Sequence, residues 1–151
     1  MFNNKNVLVT GGTGLVGREL VELLVKRGAH VTSASLDNDN FETDWNVEYL
    51  NSDLRVLANC MDACEGKDYV FHIAGIKGSP VVTKTKQYTF FTNILQLNTS
   101  MISAMYASDI EWGVYTSTVG TYGQAEVFKE DELWNSNPSP NDWFAGWAKR
   151  M

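Results

Sequence analysis

Four glycines near the start of the chain carry its densest chemical information. The segment Asn6 to Gly17 reads Asn-Val-Leu-Val-Thr-Gly-Gly-Thr-Gly-Leu-Val-Gly, with Gly11, Gly12, Gly14 and Gly17 bracketing a turn. Glycine can take positive φ in a tight turn, and it lets backbone N–H groups approach a ligand with no Cβ in the way. Gly11 and Gly12 can adopt positive φ in the tight turn, while Gly14 is expected to let amides reach phosphate oxygens and Gly17 to bring the following helix close to the strand. The unpaired N–H groups of that helix's first turn, around Leu15 and Val16, form the positive end of its dipole. The chemistry this suits is the capture of a pyrophosphate. A lone G-x-G-x-x-G is weak, and a strand-turn-helix that binds nothing is the competing reading. Here the motif sits between an apolar strand and a helix, which is the context it requires.

Other chemistry-bearing residues read more plainly. Cys60 and Cys64 lie four apart in a helical stretch and face one side, with no further Cys or His near enough to complete a metal or redox site. Buried free thiols are the expectation, and no metal is expected. His72 falls inside an apolar strand, where a histidine satisfied by neighbours is the ordinary outcome, so it is given no catalytic role. The tryptophans are expected in the core or at its rim.

The elements that must position these residues alternate. Val7 to Val9 reads as a strand buried on both faces, ended by Thr10. A helix follows, with Val16, Leu20, Leu23 and Leu24 recurring at i, i+4, i+7 and i+8, and Gly28 ends it. His30 to Ser35 is a second strand, Asp37 to Asn46 a polar loop, and Val47 to Leu50 a third strand. Leu54 to Glu65 reads as a helix, Tyr69 to Ala74 as a fourth strand, and Gly75 to Lys86 as a loop. A helix of about 18 residues then ends near Asp109. Gly113 to Ser117 is the fifth strand, and after Gly120 the chain is loop-like until a helix begins around Trp143. The expected fold is an α/β Rossmann-type doubly wound parallel sheet of order 3-2-1-4-5, truncated before its final strands and any substrate domain.

With 151 residues, 44% of them hydrophobic and 20% charged, one domain with a sizeable core is expected, spanning residues 1–151. The chain stops about one turn into a core helix, so it is expected to be the N-terminal fragment of a longer protein. A net charge of −6, with no basic run to offset it, argues against nucleic acid as a partner. No apolar run approaches membrane-spanning length and no leader precedes the first strand, so no membrane association and a cytoplasmic location are expected.

In order along the chain, several segments resemble the extended short-chain dehydrogenase/reductase family, the sugar-nucleotide epimerases and dehydratases. "VLVTGGTGLVG" resembles its cofactor fingerprint, and "NSDLR" the loop after the third strand. "HIAGIK", Asn93 with "MISAMYAS", and "VYTSTVGTYG" resemble the later segments. The resemblance implies NAD as cofactor, with NADP not excluded, and a nucleotide-sugar substrate; it also admits a homodimer. It implies cofactor contacts at Gly11, Gly14, Leu15, Val16 and Gly17, and at Asp53 and Leu54 beside the adenine. Ala74, Lys77, Asn93 and Lys149 would serve the rest of the coenzyme. Thr118 maps onto the family's catalytic Ser/Thr, whose hydroxyl would bond the substrate oxygen that changes between alcohol and ketone. An aspartate in Asp53's position is equally a turn or cap residue.

Two departures matter. The family's catalytic pair is spaced Y-x-x-x-K, the lysine lowering the phenol's pKa. In "NDWFAGWAKR" the lysine is Lys149, but the tyrosine position holds Ala145. Another group or a water substitutes, the reaction differs, or the protein binds coenzyme without turnover. The acidic residue that would select NAD falls at Ser35, with Asp37 two residues on. If Asp37 turns inward, NAD is preferred; if Ser35 faces the ribose, a 2′-phosphate is tolerated. With no arginine adjacent, the balance leans to NAD. The reading is an NAD(P)-dependent sugar-nucleotide epimerase, dehydratase or reductase, and its rival a non-catalytic dinucleotide-binding module or redox sensor.

Overall fold

The structure, a computed structural model, describes residues 1–37, 46–76 and 80–151. The expected Lys77 contact and most of the Asp37 to Asn46 loop lie outside the described residues. The chain divides into two compact units, residues 1–75 with 97–116, and residues 76–96 with 117–151.

The first unit holds a five-stranded sheet, β1 (Asn6–Thr10), β2 (His30–Ser35), β3 (Val47–Asn51), β4 (Tyr69–His72) and β5 (Trp112–Tyr115). Its order is β3-β2-β1-β4-β5 and every pairing is parallel, as the alternation of strands and helices implies. β1 is the central strand. Val7, Leu8 and Val9 are wholly buried, and alternate side chains meet different layers because successive Cβ atoms point to opposite faces. Val7 and Val9 pack with Val21 and Leu24 of α1 (Leu15–Lys26), with Ala29, and with Val31 and Tyr69 of the flanking strands. Burying side chains of this size contributes about 1.5–3 kcal/mol each.

On the opposite face, Leu8 and Thr10 stand beside Val70 and His72 in register. Buried residues of α2 (Leu57–Cys64) and of the C-terminal half of α4 (Gln87–Ala107) supply the rest of the unit's core. Cys64 lies 3.7 Å from Met101 sulfur to sulfur, and Ser100 donates to the carbonyl of Arg55. Both cysteines are fully buried free thiols, as expected.

Several boundaries differ from expectation. α1 turns inward on Gly17, Val21 and Leu24, whereas Val16 is 67% and Leu23 44% exposed. The close approach of Gly17 to the glycine turn fixes the helix's rotation, so the inward stripe starts one residue later than the aliphatic pattern suggests. α2 begins at Leu57 because Asp53 and Arg55 organise a turn ahead of it. Within the segment read as loop lies a short helix, α3 (Pro80–Thr85), and α4 runs 21 residues to Ala107. β4 and β5 each close earlier, at His72 and Tyr115.

The second unit contains α3, the N-terminal half of α4, a 3-10 turn at Val119–Thr121, two further such turns, and α5 (Trp143–Arg150). Phe90, Ile94 and Ala148 form its buried cluster, with Ile76, Phe91 and Ala145 packed against it. Among the described residues, no helix is long and apolar enough to cross a membrane.

Candidate functional site

The glycine turn leaves the carboxyl end of β1 where the sequence places it. Gly11 has φ +71°, a conformation that favours glycine, and a Cβ there would lie 2.9 Å from the Cα of Ala74. Gly12 does not use that freedom; its missing side chain makes room for Ser33 and Val21 instead. The Ser33 hydroxyl beneath it is buried without a hydrogen-bond partner among the described residues. Gly17 is the tightest position. A Cβ there would overlap the carbonyl oxygen of Gly11 and sit 2.7 Å from the Cα of Gly12.

This packing leaves the first turn of α1 open as an anion cradle. Gly14 is the N-cap, has no side chain to cap with, and no acidic residue occupies the first turn. The first helical hydrogen bond runs from Arg18 N–H to the Gly14 carbonyl, so the amides of Leu15, Val16 and Gly17 precede the helical ladder. Leu15 is 91% exposed. A cradle that a Cβ would fill, amides outside the ladder, and the positive end of a dipole together suit a diphosphate.

The second strand closes one side of this cradle. Thr13 donates its N–H to the Ser35 hydroxyl at 3.4 Å and its own hydroxyl to Asp37 at 3.3 Å. Asp37 and Ser35 thus both turn toward the glycine turn. Facing it, Ala74 donates its N–H to the Thr10 hydroxyl at 3.1 Å.

Asp53 sits in a local turn. Its carboxylate accepts from the Arg55 amide at 3.0 Å, from Nε at 2.9 Å and from Nη2 at 2.6 Å. Hydrogen bonds from Arg55 lower its pKa. Leu54 is a core residue, 4% exposed, whose carbonyl accepts from the Cys60 thiol at 3.0 Å. Burial raises the Cys60 pKa to about 12 and that of Cys64 to about 11, which suits inert structural thiols. His72 is the satisfied core histidine expected of it, 2.8 Å from the Thr10 hydroxyl and 3.2 Å from the Asn98 amide oxygen. Asn98 carries no signal in the sequence, because only the packing of α4 on the sheet brings it to His72.

In the second unit, Thr118 lines an open cleft of about 530 Å³ together with Tyr122, Phe128, Ser139, Asn141 and Asp142. Its hydroxyl accepts the Gly120 N–H at 3.3 Å, while its carbonyl accepts the Thr121 hydroxyl at 2.6 Å. The hydroxyl that caps this turn keeps its own proton to donate. Tyr122 and Phe128 stack at 5.1 Å and form an aromatic wall that no residue pattern along the chain marks. Arg150 braces the turn, donating from Nε to the Thr121 carbonyl at 2.9 Å, with Trp134 and Trp147 each 5.3 Å from its guanidinium carbon.

α5 carries the second half of the expected catalytic pair. Gly146 lets it approach the 3-10 turn, since a Cβ there would sit 2.6 Å from the Pro138 Cβ and 3.1 Å from the Gly120 carbonyl carbon. Ala145 packs in the apolar cluster and offers no proton to exchange. Lys149, one helical turn on, is half-buried, and desolvation lowers its pKa to about 8. Asn93 is half-buried on α4. Neither Ala145 nor Lys149 is among the residues lining the cleft.

Comparison with known proteins agrees with this architecture. Residues 7–148 match the sequence profile of the NAD dependent epimerase/dehydratase family. GDP-mannose 3,5-epimerase of Arabidopsis thaliana is 24% identical over 144 residues, covering 89% of this chain and 38% of the relative. A 3 beta-hydroxysteroid dehydrogenase/Delta 5-->4-isomerase of Mycobacterium tuberculosis is 32% identical over 116 residues, covering 74% of this chain and 31% of the relative. Among solved structures, MoeE5 in complex with UDP-glucose and NAD superposes with a TM-score of 0.79 at 25% identity, covering 96% of this chain and 46% of the other. UDP-N-acetylglucosamine 4-epimerase from Bacillus cereus gives 0.75 at 25% identity, with the same coverage of this chain and of its own. The chain thus spans less than half the length of these relatives. With the fingerprint turn, the sheet order and the profile in agreement, the chain belongs to the NAD-dependent epimerase/dehydratase family.

Proposed function

We propose that residues 1–151 are the coenzyme-binding portion of an NAD(P)-dependent sugar-nucleotide epimerase, dehydratase or reductase. The observation that carries this is the uncapped first turn of α1, held open by Gly11, Gly14 and Gly17 at the carboxyl edge of the sheet. The amides of Leu15, Val16 and Gly17 hold the diphosphate. Asp37, drawn inward by Thr13, accepts from the ribose hydroxyls and repels a 2′-phosphate, which favours NAD. Asp53 and Leu54 border the adenine, with the Arg55 pair fixing the loop. Ala74, Lys77 and Asn93 contact the remainder.

A bound nicotinamide coenzyme supplies the hydride acceptor. Thr118 donates a hydrogen bond to the reacting sugar oxygen, and Lys149 orients the nicotinamide ribose. The proton of the sugar hydroxyl has no acceptor at Ala145, so a group other than a residue-145 phenol receives it. A nucleotide-sugar substrate is supported by MoeE5, a relative of similar fold solved with UDP-glucose and NAD. Ala145 itself favours the second reading, a dinucleotide-binding module without turnover.

Titration with NADH, read by its fluorescence, tests the shared premise; absence of binding by the folded protein refutes both readings. Turnover of a panel of nucleoside-diphosphate sugars by the full-length protein and by its Ala145→Tyr variant separates them. Activity of the unsubstituted protein supports the enzyme, whereas coenzyme binding with activity in neither, or only in Ala145→Tyr, leaves the binding module.

A further inference from the structure

We propose that His72 is a positioning residue for the glycine turn, acting through the Thr10 hydroxyl. This rests on the coenzyme reading of that turn. Four hydrogen bonds join the carboxyl ends of β1, β4 and β5 to α4 within the first unit. They run from Ala74 N–H to the Thr10 hydroxyl at 3.1 Å, and between that hydroxyl and His72 Nδ1 at 2.8 Å. The path continues between His72 Nε2 and the Asn98 amide oxygen at 3.2 Å, and from the Asn98 amide nitrogen to the Tyr115 hydroxyl at 2.8 Å. Thr10, His72 and Asn98 are all at least nine-tenths buried, so water does not compete for these groups. The His72 and Tyr115 rings stack at 5.9 Å, each on its own strand and in register.

The donors and acceptors fit together in one direction. Thr10 receives the Ala74 N–H, so its own proton goes to His72 Nδ1, which must be unprotonated. The imidazole proton then sits on Nε2 and is donated to the Asn98 oxygen, leaving the Asn98 amide to donate to Tyr115. In the reverse arrangement Thr10 would accept two N–H groups, and its proton would have no acceptor among the described hydrogen bonds. A buried hydroxyl proton without an acceptor is costly, and so the Nε2–H tautomer is selected.

The consequence lies at the coenzyme cradle. The Thr10 hydroxyl, aimed by His72, holds the Ala74 amide, and Ala74 in turn lies against Gly11, where a Cβ would come within 2.9 Å of its Cα. The turn and its facing wall are thereby fixed to one another by a side chain that touches neither. Misplacing binding amides by a fraction of an ångström weakens the grip on a ligand even where the fold survives.

Thr10→Val removes the hydroxyl and keeps the shape, whereas Thr10→Ser keeps the hydroxyl. NADH should bind Thr10→Val about tenfold more weakly than wild type and Thr10→Ser within about threefold of it, with His72 nitrogen NMR showing Nε2–H in wild type and Thr10→Ser and a mixed tautomer in Thr10→Val. Asn98→Ala tests the same path from its other end if Thr10→Val does not fold; it should mix the tautomers and weaken NADH binding. A wild-type His72 protonated on Nδ1 overturns the proposal. So does NADH affinity unchanged in a folded variant whose tautomer has changed. Failure of wild type to bind NADH at all is a different result: it removes the coenzyme reading, and this role with it.

Discussion

Gly17→Ala tests the physical basis of the cradle most directly. The added Cβ would overlap the Gly11 carbonyl oxygen and lie 2.7 Å from the Gly12 Cα, both of them backbone atoms that cannot rotate away. Opening even that second approach to the 3.4 Å of an ordinary contact moves the start of α1 by at least about 0.7 Å. Overpacking of this kind costs about 1–3 kcal/mol, partly offset by the roughly 1 kcal/mol that alanine gains over glycine inside a helix. A net loss on the order of 1 kcal/mol lowers the melting temperature by about 2–4 °C in a chain of this size. The coenzyme should suffer more. Charge-assisted hydrogen bonds contribute about 1.5–3 kcal/mol each, and weakening two of them by half removes roughly 2 kcal/mol, or about thirtyfold in affinity. Gly66→Ala is the control: φ is +66° and nothing lies within 4 Å, so the variant meets backbone strain of about 1–2 kcal/mol and no clash. Both variants should melt a few degrees early, but only Gly17→Ala should lose NADH affinity in a fluorescence titration. Equal NADH affinities in the two would refute the cradle.

Two further outcomes follow from buried ionisable groups. Cys60 and Cys64, with thiols raised to about 12 and about 11, should resist Ellman's reagent at pH 8 in the folded protein and react promptly in denaturant; fast labelling of the native state would contradict their burial. Lys149, lowered from 10.5 to about 8, binds its proton less readily folded than unfolded. Its desolvation penalty is fully present below pH 8 and fades as pH rises to 10.5, because there the unfolded chain binds more protons than the folded one. Lys149→Met should therefore raise the melting temperature at pH 7, and the difference from wild type should shrink by pH 10. A difference independent of pH would exclude this cause.

The extent to which the sequence foretold the molecule varies with the range of the interactions involved. The glycine turn, the central strand and the parallel order were legible because each rests on local backbone freedom or on alternation along the chain. The rotation of α1 differs by one residue from the one its aliphatic spacing implies. Aliphatic spacing marks a stripe, but the contact of Gly17 with Gly11 decides which side of it faces the sheet. The 3-10 capping by Thr118, the aromatic wall of Tyr122 and Phe128, and the brace of Arg150 were invisible, since each joins residues whose neighbourhood only the folded loop creates.

From its sequence alone the chain determined a pyrophosphate-type turn at the edge of a doubly wound sheet, because glycines between an apolar strand and a helix permit the positive φ and the close backbone approaches that any side chain would block. It also settled that the residue one helical turn before Lys149 has no proton to exchange. Tertiary structure alone decided that Asp37 turns toward Thr13, and that His72 reaches Thr10 on one side and Asn98 on the other. Such pairings depend on side-chain direction and on strand register, which no local pattern of residues encodes.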